Sequence, residues 1–379
     1  MSCREDDPEA LLRLILAGGG SAARRRLLEH HGSPGAAFAA GPRGWRAAGL
    51  EDRQVKALVT PAAPELGIAR EWLAASPRHH LIGWGSADYP PLLRHCPQPP
   101  LALFVDGDPA LLWRPAVAVV GSRSPTAGGR DNASAFAAAL ARAGIVVTSG
   151  MAAGIDAAAH ESALGQAGGT TVAVLGTGPE QAYPRRHAPL RDRIAAQGAV
   201  VSEHPPGTGA HPSHFPRRNR IIAGLSLATL VIEAAERSGA LITARQAADS
   251  GRDVFAVPGS IHNPLARGCH HLIRDGAGLV ERGDELLDAL AGQFAGVVRI
   301  LREQLGEPEQ TPPEQPRPAR GDRDSDYHTL WRALGHDPTG MDQLVDRTGL
   351  TIAALSSMLL AMELDGRVSV EHGRYCRKG

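Results

Sequence analysis

The sequence predicts an α/β protein: a doubly wound parallel sheet, preceded by a helical domain and followed by a winged-helix domain. Three observations carry this reading. From residue 116 to 290, short β-branched runs alternate with alanine-rich stretches of helical length, the pattern of parallel strands joined by crossover helices. After five of the first six runs come small residues, such as Gly121-Ser122 and Ser149-Gly150, where such sheets bind ligands. Last, Glu, Gln, Pro and Arg dominate a stretch near 304–326, which has nothing to bury and reads as a linker.

Taken in order, residues 1–75 read as the helical domain. Leu11, Leu12, Leu14, Ile15 and Leu16 form one apolar segment, Gly18-Gly19-Gly20 stops it, and Ser21 is placed to cap a second helix through Leu27 and Leu28. Helix, glycine turn, helix fits a small DNA-binding hairpin and fits a plain helical cap equally well. Residues 76–300 form the sheet domain. Its first part is rich in proline (Pro90, Pro91, Pro97, Pro99, Pro100), with an edge strand at Leu101–Val105 and a strapping role. Strands are expected at 117–120, 145–148, 171–175, 199–202, 228–233, 253–257 and 278–280. Helices are expected near 127–142, 155–167, 187–197, 217–225, 241–250 and 283–290. Leu286, Leu287 and Leu290 on the last helix fit packing across a two-fold axis, and fit better covering the sheet of their own chain. Residues 301–326 are the linker. Residues 327–379 hold three helix patterns and a hairpin, Val368-Ser369-Val370 to Tyr375. The third of these helices carries no basic residue, so protein contact and DNA contact are equally open for it.

Composition excludes several classes. Forty basic and forty acidic residues balance in a chain of 379, so a nucleic-acid site must come from a local cluster. Cys3, Cys96, Cys269 and Cys376 lack paired spacing, which argues against a zinc site or a disulfide framework and favours a reducing cytoplasm. No apolar run is long enough to span a bilayer, and no secretory signal is evident. We expect a cytoplasmic protein with no membrane partner.

The chemistry-bearing stretches follow from the strand ends. The loop Gly121-Ser122-Arg123 between a strand and a helix is expected to receive an anion, most simply phosphate. His211-Pro212-Ser213-His214-Phe215-Pro216-Arg217-Arg218-Asn219-Arg220 puts an aromatic beside three arginines with no acid. Single-stranded nucleic acid asks for that combination, since stacking contributes about 1–3 kcal/mol per base whatever the sequence. The alternative is that Phe215 is core and the arginines pair with Glu203, Glu233 or Glu236. His211 and His214 have a spacing that suits a metal, but no third ligand is in view. His79-His80 and His270-His271 read as surface residues. Asp156 and His160 could serve as an acid–base pair in a nucleotide hydrolase, or brace a helix start. Neither a lysine-bearing phosphate loop nor a dinucleotide fingerprint is present. No catalytic set, metal or cofactor is expected.

These motifs, in this order, resemble a known family. They are Gly121-Ser122-Arg123; Ser149 through His160; Val174-Leu175-Gly176-Thr177-Gly178 with Tyr183-Pro184; Ser202-Glu203; Phe215 through Ser226; Ser238 through Thr243; and Val257-Pro258-Gly259-Ser260. The chain is similar to bacterial DNA-processing protein A (DprA, also called Smf) over nearly its whole length. The resemblance implies an extended Rossmann-like fold that binds single-stranded DNA rather than a dinucleotide. It further implies protection of incoming strands in natural transformation, loading of the RecA recombinase, homodimers formed through the Rossmann-like domain, and no enzymatic activity. By matching position, Gly121, Ser122 and Arg123 would hold phosphate. Phe215 would contact a base, and Arg217, Arg218 and Arg220 would line or brace the groove. Ser238 and Gly239 would admit the backbone closely, and Ser149, Gly150 and Gly154 would belong to the same edge. Where many relatives have Gly-x-Asn, this chain has Gly268-Cys269-His270, which puts a titratable ring at His270.

Overall fold

The computed structural model describes residues 7–60 and 63–292, and 327–377 except 328, 332, 335–338, 365–366 and 372–373. They belong to two compact units, 1–306 and 307–379. The expected linker lies outside the described residues.

The first unit is built on nine strands: β1 (His79–Gly83), β2 (Ala102–Gly107), β3 (Ala116–Val120), β4 (Val146–Ser149), β5 (Thr171–Leu175), β6 (Ala199–Ser202), β7 (Ala228–Val231), β8 (Asp253–Ala256) and β9 (Gly278–Leu279). Their order in the sheet is β1-β2-β6-β5-β4-β3-β7-β8-β9. Strands β3 to β9 run parallel, while β2 adds antiparallel to β6 and β1 antiparallel to β2. The edge strand was expected at Leu101–Val105. That stretch is instead the second strand in, and β1 makes the edge.

Thirteen labelled helices pack around this sheet. The N-terminal six are α1 (Pro8–Leu16), α2 (Ala22–His31), α3 (Pro34–Ala39), α4 (Gly41–Ala47), α5 (Asp52–Val59) and α6 (Ala63–Ala75). Next come α7 (Pro91–Arg94), α8 (Ala127–Arg142), α9 (Ile155–Leu164), α10 (Ala188–Gln197), α11 (His214–Leu225), α12 (Gly239–Asp249) and α13 (Arg267–Arg274). Strand alternation sorts the core into two layers. Val117 and Val119 of β3 face Phe136 and Leu140 of α8, Ile155 of α9, and Leu286 and Leu290. Ala118 and Val120 face Ile221, Ile222 and Leu225 of α11 with Ala240 and Ala244 of α12. Leu286 and Leu290 are fully buried in this core, as expected for residues covering their own sheet.

The N-terminal helices are fastened by two devices. Phe104 of β2 packs with Leu12 of α1 and Leu66 and Trp72 of α6. Arg24, 5% exposed, donates to Leu14 O, Ile15 O and Gly19 O, the orphan carbonyls that end α1 and the glycine turn. Burial pulls its pKa down to about 10. Ser21 departs from the expected capping role: its Oγ accepts from Arg25 Nη1 at 2.7 Å instead of closing α2. His79 also departs from expectation. It stacks on Trp72 at 3.9 Å, and its Nδ1 donates to Trp72 O at 2.6 Å, so it is a joint between α6 and β1.

In the second unit, helices Met341–Thr348 and Ile352–Leu364 sit with a small sheet in which Arg374–Arg377 pairs with both Thr339–Gly340 and Val368–Glu371. Leu330, Leu334, Leu344, Leu355 and Leu359 make its core. The strand at Thr339–Gly340 was not foreseen; two residues give no periodicity to read.

Candidate nucleic-acid interface

Strand β3 is the topological switch point, with β4 on one side and β7 on the other. Loops leaving β3 and β7 therefore diverge and open a crevice at the carboxyl edge. A groove of about 860 Å³ lies there. Gly121, Ser122 and Arg123 line it from β3, and Ser238 and Gly239 from the start of α12. Phe215, Pro216 and Asn219 of α11 contribute, as do Ile242 of α12 and Tyr183.

The loop after β3 is held from behind by one carboxylate. Glu233 accepts from Thr126 N at 2.9 Å, Thr126 Oγ1 at 2.7 Å and Asn263 Nδ2 at 3.3 Å. Its backbone carbonyl accepts from Ser122 N at 2.7 Å. A Cβ on Gly129 would lie 2.4 Å from Glu233 Oε2, so the carboxylate fills the space at the α8 N-terminus. The partial positive charge of the α8 N-terminus, expected to help this loop receive an anion, is thus met by the protein's own carboxylate. Ser122 is buried, and its Oγ accepts from Ser124 N at 3.1 Å. Arg123 is exposed and, among the described residues, has no ion pair.

The loop after β4 is likewise internally satisfied. Asp156 Oδ2 accepts from Gly150 N at 3.2 Å and Ala152 N at 3.3 Å. Ser149 is fully buried and donates to Val119 O at 2.6 Å, which ties β4 to β3 and takes its hydroxyl out of the groove. Gly154, at φ 87°, comes so close to Ser122 O that a Cβ would lie 2.4 Å from it. Gly150 leaves room for the Arg218 guanidinium, which a Cβ would meet at 2.4 Å. Arg218 is 4% exposed and donates to Gly150 O at 2.6 Å and to Val174 O. It is a strut joining α11 to the ends of β4 and β5. Arg220 pairs with Glu203. Of the three arginines, then, Arg218 and Arg220 brace the wall, and Arg217 points outward and is exposed.

What remains free in the groove is aromatic and cationic. Phe215 is half-buried against the space left by Gly176 and packs with Tyr183, ring centroids 4.9 Å apart. Tyr183 is 47% exposed. Arg237 is exposed beside Ser238 and, among the described residues, has no ion pair. Ser238 caps α12 by accepting from Ala240 N at 3.3 Å. No protein atom lies within 4 Å of where a Gly239 Cβ would be, so packing does not require this glycine and a ligand can come close to the helix start. The sequence puts Arg237, with Ser238 and Gly239, at the groove floor after the fifth strand, but it does not single out Tyr183, Asn219 or Ile242 as site residues. Tyr183 stands too far beyond the end of β5 at Leu175 for strand-end position to point to it.

His270 lies outside this set. It sits on α13, which was not foreseen, and its Nε2 donates to Gly259 O at 2.9 Å. His211 and His214 are joined by His204, whose ring stacks on His214 at 4.0 Å. The rings pack rather than chelate, and among the described residues no three His, Cys, Asp or Glu side chains gather as metal ligands. Nor do Asp156 and His160 face one space. His160 is fully buried with Nδ1 and Thr171 Oγ1 at 2.7 Å. Among the described residues no helix is long and apolar enough to cross a membrane.

Burial lowers the pKa of His160 to about 3 and of His204 to about 4, assisted at His204 by His214, Arg217 and Arg220. Both stay neutral in the fold but protonate near 6.5 when unfolded. The unfolded chain then binds more protons below that pH, so their contribution to stability is complete above about pH 6.5 and is lost as pH falls toward 4. Burial raises the Asp156 pKa, which acts in the opposite sense. The histidine contribution is therefore read as a difference. Urea melts from pH 7.5 to 4.5 are expected to show a shallower acid loss in His204→Gln than in the wild type; equal slopes would contradict this.

Comparison with known proteins places this geometry. A family model described as DNA recombination-mediator protein A matches residues 80–291, and one described as DprA winged helix domain matches residues 310–374. Protein Smf of Escherichia coli (strain K12) is 39% identical over 330 residues, 87% of this chain and 85% of that one. DNA processing protein DprA of Streptococcus pneumoniae is 48% identical over 188 residues, 50% of this chain and 66% of its own. The X-ray structure of DprA from Streptococcus pneumoniae superposes with a TM-score of 0.65 at 34% identity, covering 75% of this chain and 98% of that one. A Helicobacter pylori DprA structure, described for its single-stranded DNA binding mode, gives 0.51 at 27% identity, over 54% of this chain and 94% of that one.

Proposed function

The chain belongs to the DNA recombination-mediator protein A family, and from that premise we propose that it holds single-stranded DNA in the groove at the carboxyl edge of its sheet. One observation carries the reading: an open groove in which two ring faces, Phe215 and Tyr183, stand beside two exposed arginines, Arg123 and Arg237, that among the described residues form no ion pair. Rings stack on any base, and guanidinium groups grip phosphate. The Helicobacter pylori relative described for single-stranded DNA binding supports it. The protein protects incoming single strands and loads RecA onto them in natural transformation and recombination. It acts as a homodimer in the cytoplasm, where the buried free thiols of Cys96 and Cys269 stay reduced.

The test is fluorescence anisotropy with oligo-dT and a mixed-sequence oligonucleotide of equal length. Both are expected to bind with similar affinity, weakening with salt at a log–log slope of about −0.7 per phosphate neutralised. Salt-independent binding, or none, would remove the proposal. The nucleotide-hydrolase alternative needs a free carboxylate. Asp156 is engaged by two amides, Glu203 by Arg220, and Glu233 by Thr126 and Asn263. Base released from nucleoside monophosphates by the purified protein would reinstate that alternative.

A further inference from the structure

We propose that Glu180 is a positioning residue for the two rings of the groove. Its carboxylate ties the loop after β5, which carries Tyr183, to the loop after β6, which leads into Phe215. The inference rests on the groove reading above. Tyr183 stands well past the end of β5 at Leu175, and Phe215 well past the end of β6 at Ser202. Connecting segments of this kind are more mobile than the sheet they leave, yet rings that stack bases must keep a fixed spacing. Cross-ties between the loops supply it. Ser202 Oγ donates to Thr177 O at 2.6 Å, His214 Nδ1 to Gly176 O at 3.1 Å, and Gly178 N to Thr208 O at 2.8 Å. Glu180 makes a further tie: its Oε1 accepts from Gly207 N at 2.8 Å.

Three observations single out Glu180. A carboxylate close to a groove for a polyanion repels the ligand, so its presence there asks for another task. The chain also makes room for it, since a Cβ on Gly178 would lie 2.7 Å from Glu180 Oε2 and 3.0 Å from Pro205 O. Its partner is prepared in turn: Gly207 has φ 84°, a left-handed conformation that glycine adopts without strain. Thr208 N and Oγ1 both donate to Pro205 O, at 3.2 Å and 2.6 Å, which closes the turn around Gly207. On its other side stands Ile68 of α6, whose Cγ2 a Gly207 Cβ would meet at 3.3 Å. The closed turn is thus held between α6 and Glu180, and Ala210 and Pro212 just beyond it line the groove. Loss of the carboxylate releases one side of that turn, and Ala210, Pro212 and Phe215 follow it along the chain.

A pair of probes separates ring placement from phosphate binding. Oligo-dT of about ten nucleotides and an abasic strand of equal length are titrated by fluorescence anisotropy at several salt concentrations. The wild type is expected to favour oligo-dT by about tenfold or more, because the abasic strand has nothing to stack. In Glu180→Ala that ratio is expected to fall about fivefold, the scale of one solvent-exposed hydrogen bond. The abasic probe should bind this variant at least as tightly as the wild type, since a negative charge has left the groove's surroundings. Glu180→Gln keeps an oxygen for Gly207 N without the charge and is expected to restore the ratio. An unchanged ratio in Glu180→Ala would overturn the proposal, as would equal weakening of both probes or no recovery in Glu180→Gln. If the wild type binds both probes equally, the rings do not stack and the proposal fails while phosphate binding stands. If it binds neither, the groove reading falls and takes the proposal with it. Thermal melts of both variants should match the wild type, because Glu180 is exposed.

Discussion

Replacing Arg123 and Arg237 together by alanine is expected to weaken single-stranded DNA binding by at least about a hundredfold. Each guanidinium can make a charge-assisted bond to phosphate, a type that contributes roughly 1.5–3 kcal/mol. Losing both also removes about 1.4 from the magnitude of the salt slope. Fold stability should not move, because both side chains are exposed and unpaired among the described residues. Anisotropy titrations at several salt concentrations, with thermal melts alongside, give both numbers. Unchanged affinity would mean that the strand does not cross the floor between β3 and α12.

The second large effect is on stability. Arg218→Ala is expected to destabilise the first unit by about 3–5 kcal/mol, the usual result of breaking a buried charged arrangement. Gly150 O and Val174 O lose their donor. Asp156 loses the nearby positive charge that offsets its burial. Burial already lowers the Arg218 pKa to about 10, and Asp156 is the group that opposes the fall. The expected fall in melting temperature is on the order of 10 °C for a unit of this size. Arg218→Lys is expected to recover little, since one ammonium does not reproduce a planar fork. A shift within a degree of wild type would show that α11 is held by its apolar face alone.

Much of the sheet was legible because buried parallel strands announce themselves as β-branched runs. The boundaries that failed did so for local reasons. Helix α11 begins at His214 rather than 217, because Pro216 falls in the first turn, where no amide hydrogen bond is needed. Helix α13 was missed because Arg267-Gly268-Cys269-His270-His271 has too few apolar residues to show a period, and β1 because paired histidines looked like surface. At the site, strand-end position found Arg123, Ser238 and Gly239. It could not separate Arg217, Arg218 and Arg220. On a helix neighbouring residues point to different sides: one of the three faces solvent, one the interior and one Glu203. Nor could it show that Ser149 turns inward, since a strand-end hydroxyl has two faces to choose from.

Glu233 behind the β3 loop has a consequence for selectivity. A resident negative charge repels a doubly charged terminal phosphate about twice as strongly as the singly charged linkage of a polymer. Free mononucleotides should therefore compete poorly for the crevice against a long single strand, the opposite order from a site made for one nucleotide.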